Sequence, residues 1–198
     1  MPGLDPSFVM HHSKALLVKK EIKKYLQARF IESIDYSEWM SNIVLVTKPI
    51  GEIWVCTNFH DINNDYPKDD FPLPSIDMIV DSISGHDMLS FMDDFSCYNQ
   101  ILINLADRHK TAFTTPWGNF CWKVMPFGLK NVGATYQRAM VSMFHNHIHK
   151  TMEFYVDEIL IKSKQGQDHI KALEEVFNIL QRHKLRLKPS KCAFGVTS

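Results

Sequence analysis

The chain lacks an excess of either charge: 22 Lys and Arg stand against 22 Asp and Glu in 198 residues. This excludes the broadly basic surface of a protein that gathers nucleic acid through its overall field, so any polyanion contact must use local patches. Cysteine is scarce. Cys56, Cys97, Cys121 and Cys192 are far apart and form no Cys-x-x-Cys pair. That argues against a disulfide scaffold and for reduced thiols in an intracellular protein. No apolar run reaches the ~20 residues of a membrane-spanning helix, so no membrane partner is expected. No basic region followed by an apolar stretch opens the chain, so secretion is not expected either. Internal repeats and low-complexity tracts are missing too. What is present is 45% hydrophobic and 12% aromatic content, enough for the core of one domain or two small lobes.

Two acidic clusters interrupt apolar runs. Phe154-Tyr155-Val156-Asp157-Glu158-Ile159-Leu160-Ile161 carries one adjacent pair of carboxylates, and Leu89-Ser90-Phe91-Met92-Asp93-Asp94-Phe95 carries another. Runs of this length read as short buried strands. Like charges held together there are costly unless a cation compensates them. Ionised carboxylates on a tight strand–turn–strand hairpin are the oxygen ligands that Mg²⁺ takes. Two such strand ends meeting at one sheet edge could hold two metals, the plan of a phosphoryl or nucleotidyl transferase. The residues alone leave a second reading open, in which each pair is an exposed acidic turn.

Periodicity places the other elements. Lys14 to Phe30 predicts a helix with Leu17, Ile22, Tyr25 and Leu26 on one face and Lys19, Lys20, Lys23 and Lys24 on the other. Ile43–Val46 and Ile53–Cys56 predict two strands around a turn, and Asn63 to Pro74 predicts a loop. Ser75 predicts the N-cap of a short helix through Ile83, ended by Gly85. Thr111–Thr115 and Asn119–Met125 predict two more strands. A helix follows to about His149, with Ala134, Gln137, Arg138 and Val141 in register. His145, His147 and His149 near its end lack the acidic base of a zinc-protease helix and read as a polar helix end. Gln167 to His183 predicts an amphipathic helix with Ile170, Leu173, Val176, Phe177 and Leu180 on its stripe.

Flanking residues give these carboxylates a context. Tyr155-Val156-Asp157-Glu158 resembles the Tyr-x-Asp-Asp box of reverse transcriptases. The resemblance continues through Ser90-Phe91-Met92-Asp93, Tyr98-Asn99-Gln100-Ile101, Thr111-Ala112-Phe113-Thr114-Thr115, Met125-Pro126-Phe127-Gly128-Leu129-Lys130-Asn131 and Gly133-Ala134-Thr135-Tyr136-Gln137-Arg138. Six boxes in the family's order, from about Ile31 to Val196, resemble the polymerase of gypsy-type LTR retroelements in a plant-like form. The fold implied is α+β: an antiparallel palm sheet backed by helices, with a partial fingers subdomain and no thumb. Residues 1–30 would be a lead-in and helix, 31–85 fingers and the start of the palm, and 86–198 palm with fingers strands near 110–130, all within one reverse transcriptase domain.

The resemblance implies that Asp93, Asp157 and Glu158 are catalytic and bind two Mg²⁺ ions, for which Mn²⁺ could substitute. It places Tyr98 beneath the sugar of the incoming nucleotide and Phe127 against that nucleotide. Lys191-Cys192-Ala193-Phe194-Gly195 resembles the segment before the primer-holding hairpin. The partners implied are an RNA or DNA template-primer and a deoxynucleoside triphosphate. The thumb, RNase H and integrase regions of such polyproteins are expected outside this chain. Four departures stand out. Trp54 replaces the arginine that would clamp the triphosphate, leaving Lys48 as the nearby cation. Asn58 replaces an aspartate, Cys97 a common glycine, and Glu158 the second aspartate of the box. The departures imply a polymerase that is weak or inactive as it stands, and three functional readings follow: a working reverse transcriptase domain, a retroelement relic without catalysis, and a nucleic-acid-binding module on the same fold.

Overall fold

A computed structural model describes residues 12–47, 53–72, 75–94, 96–156, 158–164 and 166–197. In chain order the elements are α1 (His12–Gln27), β1 (Ile31–Ser33), β2 (Ile43–Thr47), β3 (Ile53–Thr57), α2 (His60–Asp65), α3 (Ile76–Ile83), β4 (Met88–Asp93), β5 (Phe113–Thr115), β6 (Gly118–Trp122), α4 (Val132–Phe144), β7 (Met152–Tyr155), β8 (Glu158–Ser163), α5 (Gly166–Arg182) and β9 (Ala193–Thr197). Short 3₁₀ turns cover Cys97–Gln100, Leu105–Thr111 and Pro189–Lys191. The chain divides into two compact units. One comprises residues 1–67 and 102–129, the other 68–101 and 130–198.

The first unit has a three-stranded antiparallel sheet, β1-β6-β5, and the hairpin β2–β3. Its core gathers Val18, Ile22, Ile31, Ile43, Val55, Phe59, Phe113, Phe120, Trp122 and Val124. Phe113 packs against Phe120 and Trp122 with ring centroids 6.0 and 5.9 Å apart. The Trp122 indole N–H donates to the Thr57 hydroxyl at 3.1 Å, which satisfies the ring's one polar atom inside the core.

Two expectations for this unit need correction. α1 buries Val18 and Ile22, with Tyr25 half-buried, whereas Leu17 and Leu26 are exposed. The buried residues follow the i, i+4, i+7 helical repeat, and the two leucines flank that stripe. The four lysines do form the solvated face. The loop expected from Asn63 begins instead as α2, where the Asn63 amide donates to the carbonyl of buried Phe59 at 2.9 Å. That helix ends at Tyr66, whose backbone is extended (φ −90, ψ 135), as the residue before Pro67 requires. The turn expected at 48–52 lies outside the described residues.

The second unit is built on a four-stranded antiparallel sheet in the order β7-β8-β4-β9. β4 is therefore a central strand, paired with β8 on one side and β9 on the other. α3 packs against β7, and α5 against β8 and β4. Ser75 caps α3 as expected, its Oγ accepting from the Met78 amide at 3.3 Å. α4 buries Tyr136, Gln137, Met140 and Phe144 and leaves Arg138 and Val141 exposed. α5 buries His169, Ala172, Val176 and Leu180 and leaves Ile170 and Phe177 exposed. Gln137 on α4 and Val176 and Leu180 on α5 are buried as expected; the stripes also take in Tyr136 and His169, whose hydrogen-bond partners inside make burial tolerable. α4 ends at Phe144, so the three histidines fall on turns. His147 Nδ1 lies 3.5 Å from Glu175, and His149 Nδ1 lies 2.9 Å from Glu153.

A polar network ties this sheet to its helix. His169 is buried, with Nε2 bonded to Ser90 Oγ at 2.7 Å and Nδ1 to Ser163 Oγ at 2.9 Å. Ser90 Oγ also accepts from the Gly195 amide at 3.0 Å. The network thus joins β4, β8, β9 and α5. Desolvation by burial lowers the His169 pKa below its ordinary 6.5. A depressed folded-state pKa means the unfolded chain takes the proton first, so the stabilisation is full above about pH 6.5 and is lost as pH falls below it. Urea melts between about pH 8 and pH 5 are expected to show stability falling on the acid side, with a flatter slope in His169→Gln. In the first unit, Phe113→Ala is expected to cost ~3–5 kcal/mol in the same melts, the usual loss for a buried phenylalanine.

Candidate active site

β4 ends at Asp93 and β8 begins at Glu158, and the antiparallel register sets these two residues directly opposite each other. Asp93 is buried and Glu158 exposed, so the pair stands at the rim of the sheet. The hairpin that delivers Glu158 runs through Tyr155, its partner in β7, and Val156, whose φ is +56. A β-branched residue is strained in that left-handed region. Such strain persists only where the surroundings enforce it, and it commonly marks a functional turn. Asp157 lies outside the described residues. Among the described residues no three His, Cys, Asp or Glu side chains gather as a metal cage.

A cation already touches Asp93. Lys191 Nζ lies 2.6 Å from Asp93 Oδ2. The main chain sets up this contact: the Lys188 amide donates to the Asp93 carbonyl at 2.8 Å, and Leu187 bridges to Asp94. The sequence carried no local signal for it, since the partners are 98 residues apart. The segment 191–195 was expected only to lead towards a hairpin; it forms the last 3₁₀ turn and β9, which completes the sheet beside β4.

Asp94 turns inward. It is buried and accepts a hydrogen bond from the Tyr136 hydroxyl. Burial, and then the Asp94 charge, push the Tyr136 phenol well above its ordinary pKa. The chain next takes positive φ at Ser96 (57) and Cys97 (28). Cys97, the residue standing for a glycine, therefore occupies a conformation that glycine adopts without strain. Tyr98 follows in the 3₁₀ turn, its ring edge-on to Tyr136 at 5.5 Å and 84°. Gln100 holds the end of that turn: its Nε2 donates to the Arg186 carbonyl at 3.0 Å, and its Oε1 accepts from the Arg186 amide at 2.6 Å.

Phe127, the other expected nucleotide contact, belongs to the first unit. It stacks on Trp54 with centroids 6.4 Å apart and planes inclined by 22°, and both rings are about half exposed. Gly128 follows with φ +101, which suits glycine. Lys48 lies outside the described residues. Arg138, read as structural, grips both oxygens of Asp69 at 2.9 and 2.8 Å and lies over the Phe71 ring at 4.9 Å. Its hydrogen bond, with the Phe71 amide second, lowers the Asp69 carboxyl below its usual range.

The sequence profile described as "Reverse transcriptase (RNA-dependent DNA polymerase)" matches residues 52–198. The chain belongs to the reverse transcriptase family. It is 31% identical over 193 residues to the genome polyprotein of Petunia vein clearing virus, covering 96% of this chain and 8% of that protein. It is 28% identical over 199 residues to the retrovirus-related Pol polyprotein from transposon 412 of Drosophila melanogaster, covering 98% and 16%. This reverse transcriptase chain thus spans less than a fifth of the length of either polyprotein. Relatives of this kind make it a domain of LTR-retroelement type. Its fold is similar to the foamy viral protease-reverse transcriptase in complex with RNA/DNA hybrid, with a TM-score of 0.84 at 20% identity, covering 94% of this chain and 25% of that one. The fold is accordingly the α+β, palm-like fold of reverse transcriptases, with helices backing antiparallel sheets.

The Asp94–Tyr136 bond is an internal strut of the second unit. Tyr136→Phe is expected to cost ~1–3 kcal/mol in denaturant melts, the usual penalty for leaving a buried carboxylate short of a donor. Adding Asp94→Asn should cost less than the sum of the separate losses, as a coupled pair requires.

Proposed function

We propose that the chain is an RNA-directed DNA polymerase domain of a retrotransposon, adding nucleotides to a primer 3′-hydroxyl at a low rate as it stands. The observation that carries this reading is the direct opposition of Asp93 and Glu158 at the end of two adjacent strands. Asp157, next in the chain to Glu158, would complete the carboxylate set. The second unit would act as the palm and the first as the fingers. The foamy viral enzyme has been solved with double-stranded DNA and with an RNA/DNA hybrid, and that supports a template-primer as the partner here.

The carboxylates fit a divalent cation. They are hard oxygen donors at a sheet rim, and the Lys191 ammonium on Asp93 Oδ2 marks a cation-accepting position. Two Mg²⁺ ions, or Mn²⁺ in their place, would lower the pKa of the primer hydroxyl and stabilise the departing pyrophosphate. Asp93 and Asp157 would be shared ligands, with Glu158 reaching from the opposite strand. Tyr98, braced by Tyr136, would set the floor beneath the sugar and crowd a 2′-hydroxyl. In the first unit, Phe127 is the proposed nucleotide contact, and Lys48, close in the chain to Trp54, is the cation proposed for the phosphates.

Two residues account for the low rate. Glu158 carries one methylene more than aspartate, which moves its oxygens by about 1 Å, and a misplacement of ~1 Å can cost on the order of 10²-fold. Trp54 cannot donate the paired, charge-assisted bonds that arginine gives to phosphate. Its stacking on Phe127 favours a second reading, a nucleic-acid-binding module, since an aromatic pair can hold a base without chemistry.

Primer extension on an RNA template, first with Mg²⁺ and then with Mn²⁺, separates these readings. The natural chain is expected to extend slowly, Asp93→Asn to abolish extension, and Glu158→Asp to raise the rate by up to ~10²-fold. Silence from the natural chain and from Glu158→Asp, in folded protein, would sink the polymerase reading. Salt-dependent template-primer binding would then identify a binding module, and its absence a relic.

A further inference from the structure

We infer that Lys191 is a displaceable counter-cation for Asp93, holding the carboxylate in the absence of metal and competing with a divalent ion for it. The inference rests on the metal-binding reading of Asp93 above and adds a residue which that reading does not use.

Three observations carry it. First, the contact is close and asymmetric: Nζ is 2.6 Å from Oδ2, with the Asp93 side chain 12% exposed and the Lys191 side chain 55% exposed. A largely buried carboxylate needs a partner cation at all times, whereas a half-exposed lysine has water to retreat into. Second, the contact is built by the backbone. Lys188 donates to the Asp93 carbonyl, Lys191 donates its amide to the Lys188 carbonyl at 2.9 Å, and Ala193 pairs with Phe91. These bonds pin the main chain on both sides of Lys191 to the strand that ends at Asp93, so the ammonium is delivered to one place. Third, charge makes the two occupants exclusive. A divalent ion ligated by either Asp93 oxygen would lie within a few ångströms of the ammonium, where like charges repel strongly. Metal entry therefore requires Lys191 to swing out, and metal loss lets it return. In the metal-free state Lys191 removes the cost of a bare carboxylate beside the opposing Glu158.

The test needs no polymerase activity. Mn²⁺ binding to the 198-residue chain is read from loss of the free-ion electron paramagnetic resonance signal, for the natural chain, Lys191→Met, Lys191→Arg and Asp93→Asn. Lys191→Met should bind Mn²⁺ about tenfold more tightly, the factor for a carboxylate that lysine occupies about nine-tenths of the time. Lys191→Arg, which keeps the charge, should stay near the natural value. By linkage, Mn²⁺ should also raise the rate at which an amine-acylating reagent labels Lys191 in the natural chain, a measurement free of any folding defect in the variants. Binding that depends on Asp93 but is unchanged or weaker in Lys191→Met, with labelling indifferent to Mn²⁺, overturns the role of Lys191 and leaves the metal reading standing. If no Mn²⁺ binding depends on Asp93, the metal reading itself fails and the inference falls with it.

Discussion

The pairing of β4 with β8 is the constraint from which the rest of the second unit follows. Six successive residue pairs, from Met88 with Ser163 to Asp93 with Glu158, run antiparallel without a bulge. Because side chains alternate across a strand, a slip of one residue would turn Asp93 away from the rim and place Met92 there. The hydrophobic pattern enforces the register from within, since Met92, Ile159 and Ile161 are buried to the last few per cent. A buried ion pair enforces the neighbouring register, that of β7 with β8: Lys162 Nζ lies 2.8 Å from Glu153 and donates to the Ser82 carbonyl at 2.9 Å. Such a pair adds little net stability, but a slip of β7 along β8 would leave two charges buried without partners.

The two adjacent carboxylates at the end of β4 each have a compensating partner. Asp93 has the Lys191 ammonium and Asp94 the Tyr136 hydroxyl. The two adjacent acids thus serve different ends, one facing the rim and one serving the interior. Asp94 anchors Tyr136, Tyr136 braces Tyr98, and Gln100 secures the end of the same turn. Positive φ at Ser96 and Cys97 allows the chain to reverse from strand to turn within a few residues of Asp93. In the first unit, by contrast, the position expected to carry a cation presents an aromatic stack of Trp54 on Phe127. Charge stands at the strand ends in the second unit, whereas an aromatic pair stands where the family pattern has arginine in the first.

Local signals made much of this legible. Strand ends at Asp93 and Glu158, the Ser75 cap and the hairpin at Tyr155 all depend on residues within a few positions of each other, and spacing along the chain encodes them directly. The family boxes told which carboxylates to bring together, and the palm-like α+β fold followed from them. Stripes on α1, α4 and α5 were only approximately legible. Periodicity fixes a helix face to within about one residue, and the polar partners that bury Tyr136 and His169 lie on other elements.

The sequence by itself determined the family, most of the elements and where the acidic clusters fall in the chain, because each is written in short-range pattern. Only the tertiary structure decided which face of each helix is buried, that β9 closes the sheet beside β4, that Asp94 serves the core, and that Lys191 sits on Asp93. Those facts depend on groups far apart in the chain, and their encounter is set by strand pairing and the exclusion of water, neither of which leaves a mark in local spacing.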